Sequence, residues 1–159
     1  MVEDGGAEKE FLADAALGRL ARYMRMLGYD VAYVRGRDGA AVLRETLRTG
    51  RTLLTRRRDL AAREDISAFL VEDDDVLAQL AAAARRFELR FTADAMTRCI
   101  ECNEPLRGVP KEEVWDLLPP HVRKTQEKFT RCPSCGRVYW PGTHYARAVA
   151  RLLEALRES

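Results

Sequence analysis

The alternation of short apolar segments with longer amphipathic ones, through about residue 90, constrains the fold most strongly. Four segments have the length and composition of strands: EFLADA (10–15), DVAYV (30–34), TLLT (52–55) and AFLV (68–71). Three intervening segments have the composition or apolar spacing of helices: LGRLARYMRMLG (17–28), DGAAVLRETLRTG (38–50) and EDDDVLAQLAAAARRF (72–87). Strands that alternate with helices predict an α/β domain with a mostly parallel sheet flanked by helices.

The pattern changes after Phe91. The remaining chain holds all four cysteines, a stretch around Pro119 and Pro120, and a final helical segment, HYARAVARLLEAL (144–156). We therefore predict a domain boundary near residues 92–97, with the α/β domain in residues 1–95 and a smaller module in residues 96–159.

The cysteines form two C-x-x-C pairs, Cys99 with Cys102 and Cys132 with Cys135. Two such pairs are typical of a structural zinc site with four thiolate ligands. Gly136, beside the second pair, suits the tight backbone turn that such a knuckle needs. The spacing therefore predicts one tetrahedral Zn²⁺ site in the second module.

The aromatic residues and histidines of this module have a more ordinary interpretation. His121 and His144 are interpreted as packing or hydrogen-bonding residues, because four cysteines already complete a zinc site. Tyr139 and Trp140 favour a core role over base stacking, although stacking stays open.

Acidic residues follow the predicted strands. Asp14 ends the first strand, Asp38 follows the second and Asp59 follows the third, while the acids 73–75 follow the fourth. Sites in parallel α/β sheets form beyond the carboxyl ends of the strands. Carboxylates gathered there would suit Mg²⁺ or Mn²⁺, although acids at helix starts also act as caps.

Arginines cluster near the same edge, although the net charge is only +2. Guanidinium groups bind phosphate in a fixed, often bidentate geometry, so the clusters would suit a ligand that carries phosphate. For Arg19, Arg22 and Arg25, which lie three residues apart on one helix, a solvated helix face is an equally good interpretation. The candidate phosphate-binding residues are Arg19, Arg22, Arg56, Arg57 and Arg58, together with Lys124 and Lys128.

The sequence has neither a secretory signal nor a membrane-spanning segment. Its N-terminus, MVEDGGAEKE, is polar and acidic, and no apolar run approaches the roughly 18–20 residues of a membrane span. We therefore expect a cytoplasmic protein.

The order of these segments resembles the Mut-seven C-terminal RNase family, which joins a PIN-like nuclease domain to a C-terminal zinc ribbon. The resemblance is carried by FLADAALGRLARYMRMLGYD (11–30), GRTLLTRRRDL (50–60), FLVEDDDVLAQL (69–80), RCIECNEPL (98–106) and FTRCPSCGRVYWPGTHY (129–145). It implies metal-dependent cleavage of RNA, with Asp14, Asp38 and Asp59 as catalytic acids and Mg²⁺ or Mn²⁺ as cofactor.

The chain departs from the family pattern in one loop. The family typically reads T-R-D after the third strand, and Arg57 stands at the position of that aspartate. Gly39 and Ala41 also occupy positions where acids are common in relatives. The resemblance therefore implies an intact binding scaffold around a depleted metal site.

Two interpretations follow. The first is a PIN-like, Mg²⁺- or Mn²⁺-dependent ribonuclease whose zinc ribbon assists RNA or ribonucleoprotein binding. The second is a catalytically weakened RNA- or ribosome-binding protein in which Arg57 replaces a metal-binding acid. A nuclease silenced by a partner is a weaker third interpretation. The residues do not distinguish tRNA, rRNA or mRNA, nor an endonuclease from an exonuclease.

Overall fold

The structure is a computed structural model that describes residues 9–90 and 96–158. The predicted alternation of strands and helices is confirmed. The elements of the first part are β1 (Glu10–Ala13), α1 (Gly18–Met26), β2 (Asp30–Tyr33), α2 (Gly39–Thr49), β3 (Thr52–Thr55), α3 (Arg58–Ala61), β4 (Ala68–Leu70) and α4 (Val76–Phe87).

The four strands form one fully parallel sheet in the order β2-β1-β3-β4. Successive side chains of a strand point to opposite faces, and each face has its own core. Phe11 and Leu54 pack on one face with residues of α1 and α4, whereas Leu12 and Leu53 pack on the other with Val42 of α2. Because the strands are parallel, all four carboxyl ends lie at one edge.

Two helices of the first part differ from the sequence prediction. The helix expected over residues 72–87 begins at Val76, because the Asp75 carboxylate accepts a hydrogen bond from the backbone N–H of Ala78 and caps it there. Helix α3 was not predicted, since four residues are too few to show helical periodicity. The predicted bounds of α2 are confirmed, with Asp38 as N-cap and Gly50 in the left-handed region at its end.

The second part is a small antiparallel sheet with two short α-helices and a longer final helix. Its elements are β5 (Arg107–Val109), α5 (Lys111–Val114), α6 (Pro120–Thr125), β6 (Phe129–Arg131), β7 (Val138–Tyr139) and α7 (Thr143–Arg157). The strands pair in the order β5-β6-β7, and the core is formed by Val114, Leu118, Val122 and Phe129.

Helix α7 connects the two parts. It packs against α4, and its Leu152 is buried in the larger core of the parallel sheet. Residues 92–95 of the predicted boundary lie outside the described part of the chain, so the division into residues 1–95 and 96–159 stays a prediction.

None of the helices in the described ranges has both the length and the apolar character needed to cross a membrane.

Candidate active site and metal centre

Asp14 lies at the carboxyl end of β1 and is only 4% exposed. Its Oδ1 accepts a hydrogen bond from the N–H of Ala16 at 3.0 Å. Its Oδ2 accepts one from the Thr55 hydroxyl at 2.5 Å and another from the N–H of Arg56 at 3.3 Å. A buried carboxylate needs such partners, so Asp14 is a satisfied group that links the ends of β1 and β3.

Thr55 is a site residue that sequence reasoning missed. It ends β3, is fully buried, and its hydroxyl donates to Asp14 while accepting from the backbone N–H of Arg57 at 3.0 Å. A threonine directly after two leucines, at the carboxyl end of β3, was the available signal. Thr55 therefore fixes the backbone of Arg56 and Arg57 relative to Asp14.

The other two predicted acids lie on exposed helix starts. The Asp38 carboxylate accepts from the N–H of Ala40 at 3.0 Å and caps α2. Asp59 lies in the first turn of α3, where both of its oxygens accept from the Arg57 guanidinium, at 3.2 and 3.0 Å. The hydrogen bonds from Arg57 lower the pKa of Asp59.

The Arg57 guanidinium lies directly against Gly39. A Cβ atom added at Gly39 would be 2.8 Å from the central carbon of that group. The Arg57 Nη1 also donates a hydrogen bond to the carbonyl of Arg37 at 3.4 Å. Hydrogen bonding to Asp59 raises the pKa of Arg57 most, and the charges of Asp14 and Asp38 raise it further. The cation therefore sits in the combined field of the three predicted catalytic acids.

As arranged, the three predicted catalytic acids do not form a three-carboxylate cluster. Among residues 9–90 and 96–158, a group of three or more potential metal ligands with ligand atoms within 4.8 Å of one another is formed by the four cysteines and not by the acids at the sheet edge. The oxygens of Asp14 accept hydrogen bonds from Thr55 and backbone N–H groups, and those of Asp59 accept from Arg57.

A cavity of about 310 Å³ opens beside Asp14. Its cationic lining comes from Arg37, Arg56 and Arg57, of which Arg37 was not among the predicted residues. Arg56 forms an ion pair with Asp74 at 2.7 Å and also donates to the Asp73 carbonyl. The structure thus brings Arg56 and Arg57 together with Asp14 at one opening.

The remaining predicted basic residues lie elsewhere. Arg58 pairs with Glu72 at 3.3 Å, and Arg22 pairs with Glu101 at 2.6 Å beside the first cysteine pair. Arg19 is exposed on α1. Lys124 on α6 and Lys128 before β6 are exposed on the second part of the chain.

The four cysteine sulfur atoms converge as the spacing predicts. The Sγ atoms of Cys99 and Cys135 are 3.6 Å apart, and those of Cys102 and Cys132 are 3.2 Å apart. These separations are too long for disulfides, whose S–S bond is about 2.05 Å. They are close to the roughly 3.8 Å expected between thiolates that each lie about 2.3 Å from a tetrahedral zinc. The donor set therefore fits Zn²⁺.

The two knuckles turn in the same way. Gly136 and Asn103 each follow the second cysteine of a pair, and their φ angles are +76° and +69°. Asparagine is among the few residues besides glycine that adopt this region readily. Asn103 is thus the counterpart of Gly136, and unlike Gly136 it carries a side chain that forms hydrogen bonds.

The Cys99 sulfur lies in a polar environment. Burial raises the pKa of the Cys99 thiol, but hydrogen bonds from the Tyr139 hydroxyl, 3.0 Å away, and from backbone N–H groups outweigh it and lower the pKa to about 6. The environment of Cys99 thus favours the thiolate, the form that binds zinc.

Partly buried polar contacts join this knuckle to the parallel sheet. The Asn103 side chain accepts from the N–H of Val31 at 3.0 Å and donates to the Asp30 carboxylate at 2.6 Å. Arg51 pairs with the same carboxylate at 2.6 Å. Arg25, 7% exposed, donates to the carbonyls of Val31, Ile100 and Glu101 at 2.8–3.1 Å. Arg25 is therefore a structural residue at the joint, not part of a solvated basic face.

Arg25→Met should lower the free energy of unfolding by about 2 kcal/mol, because the carbonyls of Val31, Ile100 and Glu101 lose a charged donor. Arg22→Met removes an exposed arginine from the same helix and should cost much less. Urea unfolding of the two variants provides the comparison. Equal stability of both variants would contradict the structural role of Arg25.

Comparison with known proteins gives one family match: the model described as "Mut7-C RNAse domain" matches residues 9–152. Neither the curated proteins nor the solved structures that were searched give a match.

Proposed function

Because the chain belongs to the Mut7-C RNAse domain family, we propose that it binds RNA phosphodiesters at the cavity beside Asp14. The observation that carries this proposal is the Arg57 guanidinium, which lies against Gly39 and pairs with Asp59 at the position where the family resemblance implies a metal-binding aspartate. A cation fixed there attracts a phosphate and repels a metal ion. We therefore expect this protein to bind RNA more effectively than it cleaves RNA.

The surrounding arginines support phosphate as the ligand. Arg37, Arg56 and Arg57 line one opening, and guanidinium groups match phosphate geometry. The acid that pairs with Arg56 is Asp74, whose side chain is 96% exposed. Exposed ion pairs contribute little free energy, so Arg56 can exchange this partner for a phosphate at small cost. Arg58, at the start of α3, is paired with the exposed Glu72 and can likewise exchange that partner for a phosphate.

Metal-dependent cleavage is the second candidate, and family membership favours it. In that function Asp14, Asp38 and Asp59 would hold Mg²⁺ or Mn²⁺, and the arginines would position the RNA backbone. Arg57 would have to leave Asp59 before that carboxylate could bind a metal ion.

The segment of residues 96–142, which carries the four cysteines and is called the ribbon below, adds a second contact to the proposal. Its four cysteines would hold a structural zinc ion, and its exposed Lys124 and Lys128 would extend contact with RNA, free or within the ribosome. Zinc-bound thiolates suit a reducing compartment such as the cytoplasm.

Removal of the cavity arginines should weaken the salt dependence of RNA binding. Each lost phosphate contact reduces the slope of log K against log salt by about 0.7 for single strands. Arg37→Ala with Arg56→Ala should therefore flatten the slope by up to about 1.4. Fluorescence anisotropy of a labelled single-stranded RNA across a salt series measures this change.

Arg63→Ala is the matched control for that experiment. Arg63 forms an exposed pair with Asp65 two residues away, and it does not line the cavity. Its slope should stay at the wild-type value. If the slope of log K against log salt is unchanged in the Arg37/Arg56 variant, the cavity is not part of the RNA interface.

A further inference from the structure

A second and larger cavity, of about 640 Å³, lies where the ribbon meets α1 and the first turns of α7. The chain has only two histidines, and both His121 and His144 line this cavity. Trp140, Ile100 and Met96 supply apolar lining. Sites for small organic groups typically have volumes of roughly 300–1,000 Å³, so the cavity has the size of a ligand site.

The indole of Trp140 is held in place at this cavity. Its ring meets Phe129 edge to face, with centroids 6.3 Å apart and an interplanar angle of 61°. A Cβ atom added at Gly142 would be 3.0 Å from the indole Cδ1 and Nε1. The absence of a side chain at Gly142 therefore lets the ring lie against the backbone that begins α7.

Trp140 also borders a smaller cavity of about 210 Å³, which shares Met96, Tyr139, Trp140 and Tyr145 with the larger one. Lys128 lines this smaller cavity. Lys128 therefore lies at a cavity whose aromatic lining residues, Tyr139 and Trp140, also line the larger cavity.

The charge around the cavities favours an anionic ligand. Lys124, next to the lining residue Thr125, and Lys128 are both exposed. Neither lysine forms an ion pair with another described residue. No aspartate or glutamate is among the described residues that line either cavity. The triplet Arg56–Arg58 differs, because each of its members is paired with an acid.

We propose that the larger cavity binds one unstacked base of single-stranded RNA, with Lys124 and Lys128 on the neighbouring phosphates. Proteins that bind single strands combine aromatic stacking surfaces with unpaired cations in this way. His121 and His144 supply imidazole nitrogens that can hydrogen-bond the edge of a base. The inference rests on the proposed function, since it assumes that the chain binds RNA, and it assigns base recognition to the ribbon.

The test compares two ligands of equal length: a single-stranded RNA oligomer and its fully abasic ribose-phosphate counterpart. Stacking of one base on an aromatic side chain is worth about tenfold or more in affinity, so the abasic oligomer should bind about tenfold more weakly. The protein carries Trp115→Phe, which leaves Trp140 as its single tryptophan. RNA should change the Trp140 fluorescence, whereas the abasic oligomer should not.

A second variant, Trp140→Leu, should remove the preference for bases while keeping an apolar contact for Phe129. His144→Ala, at an exposed position, should reduce that preference with little risk to folding. Zinc content and circular dichroism check that both variants are folded.

The possible failures are distinguishable. Equal binding of both oligomers, with Trp140 fluorescence unchanged, would overturn this inference and leave the proposed function standing. Binding of neither oligomer would overturn the proposed function and this inference with it. A change in Trp140 fluorescence that depends on protein concentration without RNA would identify a second copy as the occupant and would also overturn the inference.

Discussion

Cys132→Ser should yield purified protein without zinc and without an ordered ribbon. The binding free energy of a structural zinc ion in zinc-finger peptides is about 10–16 kcal/mol at neutral pH, and much of it is folding free energy. The core of the ribbon is small, with Val114, Leu118, Val122 and Phe129 as its buried residues. Without the metal ion, a core of this size is unlike those of domains that fold alone.

Metal analysis and near-UV circular dichroism measure this loss. Ser134→Ala is the matched control, because Ser134 is exposed between Cys132 and Cys135 in the same knuckle. The control should retain one zinc ion per chain and an ordered ribbon. A wild-type protein purified without zinc, or a Cys132→Ser protein whose ribbon stays folded, would rule out a structural zinc site.

The loss of zinc should also destabilise the parallel sheet. Asn103 and the carbonyls of Ile100 and Glu101 belong to the first knuckle, and they contact Val31 N–H, Asp30 and Arg25. When the knuckle loosens, the buried Arg25 loses two of its three acceptors. Zinc removal therefore should lower the stability of the α/β part as well as that of the ribbon.

The features that the sequence predicts well are those set by local periodicity and spacing. The parallel sheet follows from apolar strands between amphipathic helices, and the two C-x-x-C pairs place four sulfur atoms together. The burial of Arg25 could not be predicted in this way. Arg25 shares a face of α1 with Arg19 and Arg22 in the sequence, but its burial depends on the first knuckle, about 75 residues further along the chain.

The candidate site shows the same limit. Asp14, Asp38 and Asp59 follow their strands as expected, but sequence order does not fix which side chain occupies the space among them. That outcome depends on the direction of the Arg57 side chain and on the open surface of Gly39. Both Arg37 and Thr55 join the site through tertiary contacts, with Arg37 lining the cavity and Thr55 bonding to Asp14.

Arg57→Asp should raise Mn²⁺ affinity by up to about a hundredfold, because it removes a cation and adds a carboxylate beside Asp14, Asp38 and Asp59. The figure is an upper estimate, since solvent screens an exposed side chain. The new aspartate would take the N-cap position of α3, which favours that residue. The variant should therefore fold, cleave RNA faster with Mn²⁺, and bind RNA more weakly without it.

Two controls separate the site from net charge in this experiment. Arg63→Asp makes the same charge change beside Asp65, at the same two-residue spacing as Arg57 and Asp59, and should leave Mn²⁺ affinity unchanged. Adding Asp14→Asn to Arg57→Asp should abolish the gain, because Asp14 would supply the buried ligand. Mn²⁺ titration and cleavage of labelled RNA, each with an EDTA control, measure both effects. If the wild-type protein already cleaves RNA rapidly and Arg57→Asp adds nothing, then Arg57 moves aside readily, and the attenuation proposed for this site is wrong.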